Sequence, residues 1–564
     1  MVLRDVSRPR PVVGWVVLVF SIVSLSAVGA HAACPTATGQ PFGPEQETDL
    51  IGSDDFATAS RISGTKPQSK LWFNRGYWWS IMWDKTDQRF EIFRLDNPRT
   101  ASWTSTNVPV HKMSGGSYVG DESNVCSNSP STVCTSNANC PGGLCVADNR
   151  YKRRYDALLH EFETGERLYI GSHRFTEATP ATCSPGCSMY LFRYTPVTVC
   201  SNSPSTVCTS DANCGGGLCN VLSYSLDASD GFPQTIVSNL KVEALNIAKA
   251  ENGVVWATWT QKGTTAQGGV VKVNRTYGDC AGDAPYIPIG SSTECAFNRT
   301  GMPYIIATGL PTGSAWDDIS AIVSFQGIVL DNGVGVMWSN HRSDDINYPS
   351  TMYYAYHLDS NADTVWTQES AYGGTGTAGA DDHINITADS NGRIIAVTKT
   401  SKNDFPSQFP QTDPQMMLLV RAPDDECYNG TCSYDIARTC TTNADCPGHW
   451  YSSVFGTIAE NHTRGVSILQ EYDECIHVFA TNNNFKIIEK TATLPIQGPH
   501  TVTFGSSRTL LDGGTRKLND VTTTKQHFDS GYDNYLAILA SEYEFTDDDG
   551  SYWHYTQCIN ASCP

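Results

Sequence analysis

Acidic residues, histidines and arginines recur along the sequence, each close to the start of an apolar segment. The recurring openings are Trp72, Asp156, Glu243, Asp318, Asp382, His462 and Asp520. Carboxylate pairs can act as general acid and base on a sugar, and a histidine beside an arginine can remove a proton next to a neutralised carboxylate. His383 and Arg464 add an imidazole and a guanidinium beside two of these openings. The candidates for catalysis are therefore Asp318, Asp382, His383, His462 and Arg464.

A second group of polar residues follows the predicted strand after each opening. These residues are His173, Arg174, Asn340, Arg342 and Lys399, and with Asp156, Glu243 and Asp520 they form the candidate ligand-binding set. Such a mixture of acids, imidazoles and cations favours a polyhydroxylated or anionic sugar as ligand. The structural alternative is that the periodic acids bind the backbone of a neighbouring sheet and hold the fold together. We predict neither a cofactor nor a metal.

Between the openings, the sequence repeats one pattern of short β-strands. Residues 251–259, 335–339, 392–398 and 475–480 are rich in β-branched and aromatic residues and follow turn residues. Once the cysteine-rich segments are set aside, the openings lie about 60 to 75 residues apart. Four short strands repeated at such a period are typical of propeller blades. We expect an all-β protein with a seven-bladed β-propeller, and a six-bladed ring is the alternative.

The last repeat is too short to complete a blade by itself. From Asp520 the chain has room for three strands, so we expect the N-terminal segment 49–62 to add the missing outer strand and close the ring. A disulfide between Cys34 and Cys563 would then lock the two ends together. This pairing is inferred from parity, after assigning Cys183 to Cys187 and Cys280 to Cys295 as local pairs.

Three short cysteine-rich segments interrupt the repeats, at 126–145, 200–219 and 427–446. The first two are near copies with the spacing C-x7-C-x5-C-x4-C, and the third keeps C-x7-C-x5-C with an extra cysteine upstream. Each is too polar to build an apolar core, so we expect two disulfides to hold each one. A four-cysteine zinc site is the alternative, but zinc sites usually carry C-x2-4-C pairs.

The first residues have the features of an export signal. Arg4, Arg8 and Arg10 precede an apolar stretch at 12–28, and residues 30–32 form a small-x-small cleavage site. We predict a signal peptide over 1–32 and a single propeller over 33–564, secreted to the exterior or the cell surface. An uncleaved anchor and a lipoprotein attached at Cys34 are the alternatives. No other stretch reaches the ~20 apolar residues of a membrane span, so none is expected after cleavage.

The overall charge excludes one class of partner. The chain carries 38 Lys and Arg against 58 Asp and Glu, a formal net charge of −20. A strongly acidic protein repels the phosphate backbone, so a nucleic acid is not an expected partner. The oligomeric state cannot be read from the sequence.

Several segments resemble secreted bacterial propeller proteins of the sialidase-like, BNR-repeat kind. The resemblance rests on residues 381–386 with 392–401, on 316–320 with 335–340, and on Asn461-His-Thr-Arg464, and it spans roughly 65–560. It implies a β-propeller whose channel mouth contacts a glycan or polysaccharide. No S-x-D-x-G-x-x-W Asp-box is intact, which favours binding over catalysis. The alternatives are a carbohydrate-active enzyme, either a glycoside hydrolase or a polysaccharide lyase, and a non-catalytic adhesion or protein-binding module.

We further expect His383, His462 and Arg464 to meet one ligand at the channel mouth. His383 and His462 occupy equivalent openings of successive repeats, and Arg464 lies two residues beyond His462 on the same strand. The tryptophans at 72, 78, 79 and 83 offer a possible sugar-stacking platform, although strand alternation should place about half of them in the core.

Overall fold

A computed structural model gives the fold of the chain. The structure describes residues 46–48, 67–84, 89–98, 102–110, 124–126, 129–134, 137–139, 141–142, 145–147, 153–160, 166–174, 188–240, 242–261, 269–281, 290, 293–310, 319–327, 331–424, 427–432, 438–470, 474–495, 499–527, 535–542 and 552–558. These residues form short antiparallel strands joined by turns, and the helical segments among them are single 3₁₀ turns. The predicted all-β class is confirmed.

After strand β1 (Gln46–Thr48), the first half of the chain forms three large sheets. The first sheet contains β2 (Leu71–Asn74), β3 (Tyr77–Asp84), β4 (Arg89–Asn97) and β5 (Ser102–Pro109). A small sheet follows, with β6 (Asn124–Cys126), β7 (Ser129–Cys134) and β8 (Cys145–Ala147). The second large sheet contains β9 (Arg153–His160), β10 (Arg167–Arg174), β11 (Met189–Cys200), β12 (Ser203–Val207), β13 (Cys219–Leu226) and β14 (Gln234–Val237). The third contains β15 (Leu245–Lys249), β16 (Val255–Gln261), β17 (Gly269–Arg275) and β18 (Tyr304–Leu310).

The second half continues with four-stranded sheets of the same order. One contains β19 (Ser320–Phe325), β20 (Gly333–Asn340), β21 (Pro349–Leu358) and β22 (Thr367–Thr375). The next contains β23 (Ile384–Ala388), β24 (Ile394–Lys399), β25 (Pro414–Arg421) and β28 (Trp450–Thr457), with the hairpin β26 (Cys427–Tyr428) and β27 (Thr431–Cys432) inserted. The last two contain β29 (Thr463–Gln470), β30 (Cys475–Thr481), β31 (Ile487–Thr493) and β32 (Arg508–Leu511), and then β33 (Leu518–Thr522), β34 (Tyr535–Glu542) and β35 (Tyr552–Cys558).

The first strands of successive sheets lie side by side and are joined by buried hydrogen bonds. The amide of Asn246 in β15 accepts from the backbone N–H of Ile322 in β19 at 2.9 Å. Asn385 in β23 likewise accepts from the N–H of Ser467 in β29 at 2.9 Å. Four-stranded meanders packed through their first strands around a common axis form a β-propeller.

The N-terminal strand joins the last sheet. Strand β1 pairs antiparallel with β35, with Gln46 opposite His554 and Thr48 opposite Tyr552. It occupies the outer position that β33, β34 and β35 leave open. The segment 49–62, from which we expected this strand, lies outside the described residues, as do Cys34 and Cys563. Cys475 is disulfide-bonded.

Tryptophans fill the core between the sheets. Trp72, Trp78, Trp79 and Trp83 are all at most 3% exposed. The indole N–H of Trp72 donates to the hydroxyl of Tyr224 at 2.9 Å, so its polar atom is satisfied inside the core. A sugar-stacking platform made of these four side chains is therefore wrong. The β-branched and aromatic alternation of β3 places its apolar side chains on both faces, because both faces meet another sheet.

The cysteine-rich segments are closed by disulfides. Within 200–219 the pairs are Cys200–Cys214 and Cys208–Cys219, and within 427–446 they are Cys427–Cys440 and Cys432–Cys446. Both segments thus join the first cysteine to the third and the second to the fourth. The sulfurs are used in disulfides, so the zinc alternative is wrong for these two segments. The side chains of the segment 126–145 lie largely outside the described residues.

A short segment after β33 extends across the channel between the first strands. Lys525 donates to the carboxylate of Asp156 at 2.5 Å and to the carbonyl oxygen of Ile247 at 2.6 Å. Gln526 bonds both backbone groups of Phe73, at 2.8 and 3.0 Å. His527 contacts the hydroxyl of Thr387 at 2.9 Å. This segment, 523–527, is called the channel segment below.

Candidate functional site

The predicted openings lie close to the observed starts of the first strands. The first strands begin at residues 71, 153, 245, 320, 384, 463 and 518. Each described opening falls within about three residues of one of these starts, because polar residues stand where the chain leaves a loop and enters the channel wall. Asp318 lies outside the described residues. The starts form one end of the channel, called the channel mouth below.

A hydroxyl, an imidazole and two carboxylates are connected at the mouth, beside β23 and β29. The ring nitrogen Nδ1 of His383 contacts Asp381 and lies 2.6 Å from Oδ1 of Asp382. Its other nitrogen, Nε2, lies 3.0 Å from the hydroxyl of Thr463. Asp381 and Asp382 are buried, whereas the His383 side chain is 12% exposed and Thr463 is half-buried. His383 and Thr463 are therefore the partly exposed members of this group.

Neighbouring charges determine the protonation of this group. Burial disfavours ionisation of Asp381, but Lys399, whose Nζ lies 2.6 Å from Oδ2, and His383 hold the pKa of this carboxyl well below its usual range. Burial, with the nearby Arg464 guanidinium, lowers the pKa of His383 well below that of a free imidazole. Asp381 is thus ionised and His383 is neutral at neutral pH. Because Asp381 accepts, Nδ1 carries the proton and Nε2 is left as an acceptor for the Thr463 hydroxyl.

A cation already sits among the acidic and imidazole groups of the mouth. His341, Asp381 and Asp404 offer ligand atoms that lie close together, as do Asp381, Asp382 and His383. The Lys399 ammonium supplies the positive charge next to Asp381, the residue common to both groups. We assign no metal to this cluster.

Arg464 and Asp520 join the next two sheets at the mouth. The guanidinium Nε of Arg464 lies 3.1 Å from Oδ1 of Asp520, and both side chains are buried. Each residue sits in a bulge, where β29 shifts register between Thr463 and Val466 and β33 shifts between Asn519 and Thr522. A bulge turns a side chain out of its normal alternation. The bulges therefore contribute to bringing these two side chains together.

The remaining side of the mouth is rich in buried cations. Lys70 and Arg154 are at most 1% exposed, and burial together with the Arg154 charge lowers the pKa of Lys70 well below its usual range. His173 lies beside them and is fully buried, and its Nε2 contacts the carbonyl oxygen of Glu243 at 3.1 Å. Burial lowers the pKa of His173 to about 3. Glu243 and Arg174 are also buried, so in this structure none of these groups is presented to solvent.

Asp156 links sheets. Its oxygens accept from the backbone N–H of Ser69 at 2.9 Å and of Ile247 at 2.7 Å, and from Asn246 at 2.8 Å. The ammonium Nζ of Lys525 also donates to Oδ2 of Asp156, at 2.5 Å. Burial raises the pKa of Asp156, and Lys525 opposes this shift. Its carboxylate therefore joins the first three sheets to the channel segment, as the structural alternative anticipated.

The other predicted residues are distributed around the mouth. His462 packs against Phe455, with ring centroids 5.1 Å apart, and burial lowers its pKa to about 4. Its neighbour Thr463 is the residue that reaches His383. Asn340 accepts from the hydroxyl of Tyr348 at 2.7 Å, and Arg342 pairs with Asp344 at 2.8 Å on the surface. Whether His462 and His383 share a ligand stays a prediction.

Sequence reasoning did not single out Thr463, Lys70 or Lys525. Threonine is common in strands, and only its place between His462 and Arg464 marked it. Lys70 and Lys525 lie just outside the strands that supplied the periodic pattern. A lysine next to an apolar strand is ordinarily a surface residue, so nothing in the sequence indicated that these two lysines would be buried.

A separate cavity opens at the opposite end of the channel. It has a volume of about 400 Å³ and is lined by the ends of β15, β19 and β23 together with Lys525 and His527. The channel segment thus forms part of its wall. The residues predicted for the site are not among its lining.

Comparison with known proteins yields distant similarities. No known protein-family profile and no curated protein matches the chain. AofleA from Arthrobotrys oligospora is 7% identical, covers 80% of this chain and 88% of its own, and gives a TM-score of 0.35. The intramolecular trans-sialidase from Ruminococcus gnavus is 10% identical, with coverages of 90% and 97% and a TM-score of 0.34. A mutant of NanB sialidase from Streptococcus pneumoniae is 9% identical, with coverages of 91% and 70% and a TM-score of 0.35. Similarities at this level do not identify a family.

Proposed function

We propose that the protein is a secreted, seven-bladed β-propeller that binds glycans through its channel mouth. The blade count is supported by seven first strands, each followed by a meander, and by contacts that return to the start. Thr522 bonds the carbonyl oxygen of Gln68 at 3.3 Å, which joins the last of these sheets to the first. A single propeller over 33–564 with its N-terminal segment as the closing strand is consistent with the pairing of β1 and β35.

Export is supported by the disulfides. All described cysteines are in disulfides, and such bonds persist in oxidising surroundings. Among the described residues, no helix has the length and apolarity needed to cross a bilayer. The signal peptide over 1–32 stays a prediction, because those residues lie outside the described part of the chain.

One observation carries the proposal for glycans. His383 and Thr463 are partly exposed, and they connect to the buried charges of Asp381, Lys399 and Arg464. The Nε2 atom of the neutral imidazole accepts a hydrogen bond from a sugar hydroxyl, and the threonine hydroxyl donates or accepts one. The guanidinium nearby favours a saccharide that carries a carboxylate or sulfate. We infer that the ligand contacts this part of the mouth.

A glycan array with the purified secreted protein tests this function. His383→Gln and Arg464→Gln should each reduce binding by about tenfold or more, the loss of one or two hydrogen bonds to the glycan. His449→Gln is the matched histidine control, because His449 is exposed and packs on Tyr451. Arg508→Gln is the arginine control, since Arg508 pairs with Glu489 away from the mouth. Equal binding by all four variants, or no glycan bound by the unaltered protein, would exclude the proposal.

A glycoside hydrolase receives less support than a lyase among catalytic alternatives. Hydrolases place two carboxyl groups on either side of the sugar bond, several ångströms apart. Asp381 and Asp382 instead contact the same nitrogen of His383 and are buried. A polysaccharide lyase would use His383 as base and Arg464 to neutralise a uronate, and unsaturated products absorbing in the ultraviolet would reveal it.

A further inference from the structure

Thr463, His383 and Asp381 form a continuous chain of hydrogen bonds. The Thr463 hydroxyl lies 3.0 Å from Nε2 of His383, and Nδ1 of the same ring contacts Asp381. The two ends differ in access, because Thr463 is half-buried and Asp381 is 5% exposed. A hydroxyl bound to an imidazole that is in turn oriented by a buried carboxylate is the arrangement used for nucleophilic catalysis.

The backbone beside Thr463 is strained. Arg464 has φ of 54°, in the left-handed region that a side chain other than glycine rarely occupies. The bulge also removes Arg464 and Gly465 from the paired register between β29 and β30. The guanidinium of Arg464, which is paired with Asp520, and the unpaired register of the bulge directly follow Thr463 in the chain, and donors near the nucleophile are what an oxyanion requires.

The geometry points to a further activity: we propose that Thr463 is the nucleophile and His383 the general base of an ester hydrolase, with Asp381 as the residue that positions His383. The substrate class is an O-acylated saccharide, and this part rests on the glycan function proposed above.

The reaction balances as hydrolysis of an ester. Nε2 of His383 takes the Thr463 hydroxyl proton as Oγ1 attacks the carbonyl carbon, and the charge on the carbonyl oxygen is stabilised beside Arg464. The bond from carbon to the alcohol oxygen breaks, and His383 returns the proton to the departing alcohol. Water then attacks the acyl-threonine with His383 again as base, which releases a carboxylic acid and restores Thr463.

Hydrolysis of p-nitrophenyl acetate by the purified full-length secreted protein tests the relay without any glycan. Thr463→Val keeps the shape of the side chain but removes the hydroxyl, and His383→Gln removes the base. Each should lower kcat/KM at least about a hundredfold. Thr463→Ser should retain measurable turnover. Equal rates for the unaltered protein and Thr463→Val, with both folded by circular dichroism, would overturn the relay.

Surface controls separate the relay from hydrolysis by unrelated imidazoles. Thr377→Val and His449→Gln alter an exposed threonine and an exposed histidine that are not part of the relay, and should leave the rate unchanged. Mass spectrometry of the acid-quenched reaction should locate an acetyl group on the peptide containing Thr463. Acetylation of another residue in place of Thr463 would overturn its role as nucleophile.

Asp381→Asn tests whether Asp381 positions His383. The readout is the pH dependence of kcat, which a loss of stability alone does not change. The change leaves Asp382 as the only carboxylate at Nδ1 of His383, so the imidazole is oriented less well. We therefore expect kcat to fall while KM changes little, and the pH dependence of kcat to shift. A fall in melting temperature with an unchanged pH profile would assign Asp381 a structural role only and overturn that part.

Assays on polysaccharides distinguish the proposed glycan binding from the proposed Thr463 relay. Acetate release from an acetylated polysaccharide, absent for Thr463→Val, would support both. Thr463-dependent cleavage of p-nitrophenyl acetate without release from any acetylated glycan would keep the relay and overturn the saccharide substrate. Glycan binding on the array with no Thr463-dependent hydrolysis would keep the binding function and overturn the relay. Unsaturated products that depend on His383 but not on Thr463 would likewise overturn the relay, in favour of a lyase.

Discussion

Arg464 and Asp520 form an ion pair between two neighbouring sheets, with Nε and Oδ1 3.1 Å apart. Both residues hold left-handed backbone angles, with φ of 54° and 55°, at bulges that occupy the same place in their sheets. In each bulge two residues oppose one on the partner strand. The repeated distortion shows that the pair depends on backbone shape as well as on the two side chains, since an undistorted strand would direct them elsewhere.

Loss of one partner should therefore destabilise the propeller strongly. Arg464→Met leaves the Asp520 carboxylate buried without this guanidinium, and we expect the free energy of unfolding to fall by about 3 to 5 kcal/mol. The double variant Arg464→Met with Asp520→Leu should recover much of the loss, because no buried charge remains at the pair. Urea denaturation of both variants measures this, and a double variant less stable than the single one would contradict it.

Asp156 should behave as a structural residue. Asp156→Asn replaces an acceptor oxygen with an N–H group that faces donors from Ile247, Asn246 and Lys525. We expect a loss of about 3 to 5 kcal/mol, similar to breaking a buried ion pair. Asp344→Asn is the control, because Asp344 makes an exposed pair with Arg342 and should change stability by less than about 1 kcal/mol. An Asp156→Asn protein as stable as this control would return Asp156 to the ligand-binding candidates.

Acid should destabilise the fold through its buried neutral histidines. The pKa of His173 is lowered to about 3 by burial, whereas the unfolded chain protonates near 6.5. Between these values the unfolded state binds the extra proton, so the free energy of unfolding falls as the pH falls. The loss from one such histidine between pH 6.5 and pH 5 is about 2 kcal/mol.

His173→Gln tests the sign of this dependence. The variant lacks the titrating ring, so its stability should change less between pH 6.5 and pH 5 than that of the unaltered protein, whatever its stability at neutral pH. His449→Gln is the exposed control and should keep the original slope. Urea midpoints across this range provide the measurement, and an identical slope in all three proteins would contradict the prediction.

The disulfides of segment 200–219 should stabilise that segment and not the propeller. Its buried core consists of the four cysteines alone. Replacing Cys200 and Cys214 by serine removes a cross-link over 14 residues, worth about 3 kcal/mol locally. Hydrogen exchange of 200–219 should rise, while the main melting transition stays within a few degrees.

The contrasting disulfide is Cys280–Cys295. Both of its cysteines are fully buried in the apolar cluster that contains Tyr169, whose hydroxyl bonds the carbonyl oxygen of Cys280 at 2.9 Å. Replacing this pair by serine should lower the main melting transition markedly, since a native disulfide of this kind contributes about 2 to 5 kcal/mol. Equal effects from both double variants would show that segment 200–219 is part of the propeller core.

The periodic pattern of the sequence predicted the strands better than the roles of the openings. Apolar alternation and turn residues depend on neighbours along the chain, so the first strands begin close to the expected positions. Whether an opening binds a backbone or an imidazole depends on which residues of the neighbouring sheets lie beside it, and these are distant in the sequence. Asp156 and Asp381 therefore look alike in sequence, although one joins three sheets and the other orients His383.

The channel segment has a consequence for the path of a ligand. Lys525, Gln526 and His527 are tied to first strands on different sides of the channel, so the segment crosses it between the mouth and the cavity at the other end. We expect this crossing to hinder a long polymer from passing along the axis. A ligand at His383 and Thr463 would then enter and leave through the mouth, which favours a pendant group or a chain end over processive sliding along a strand.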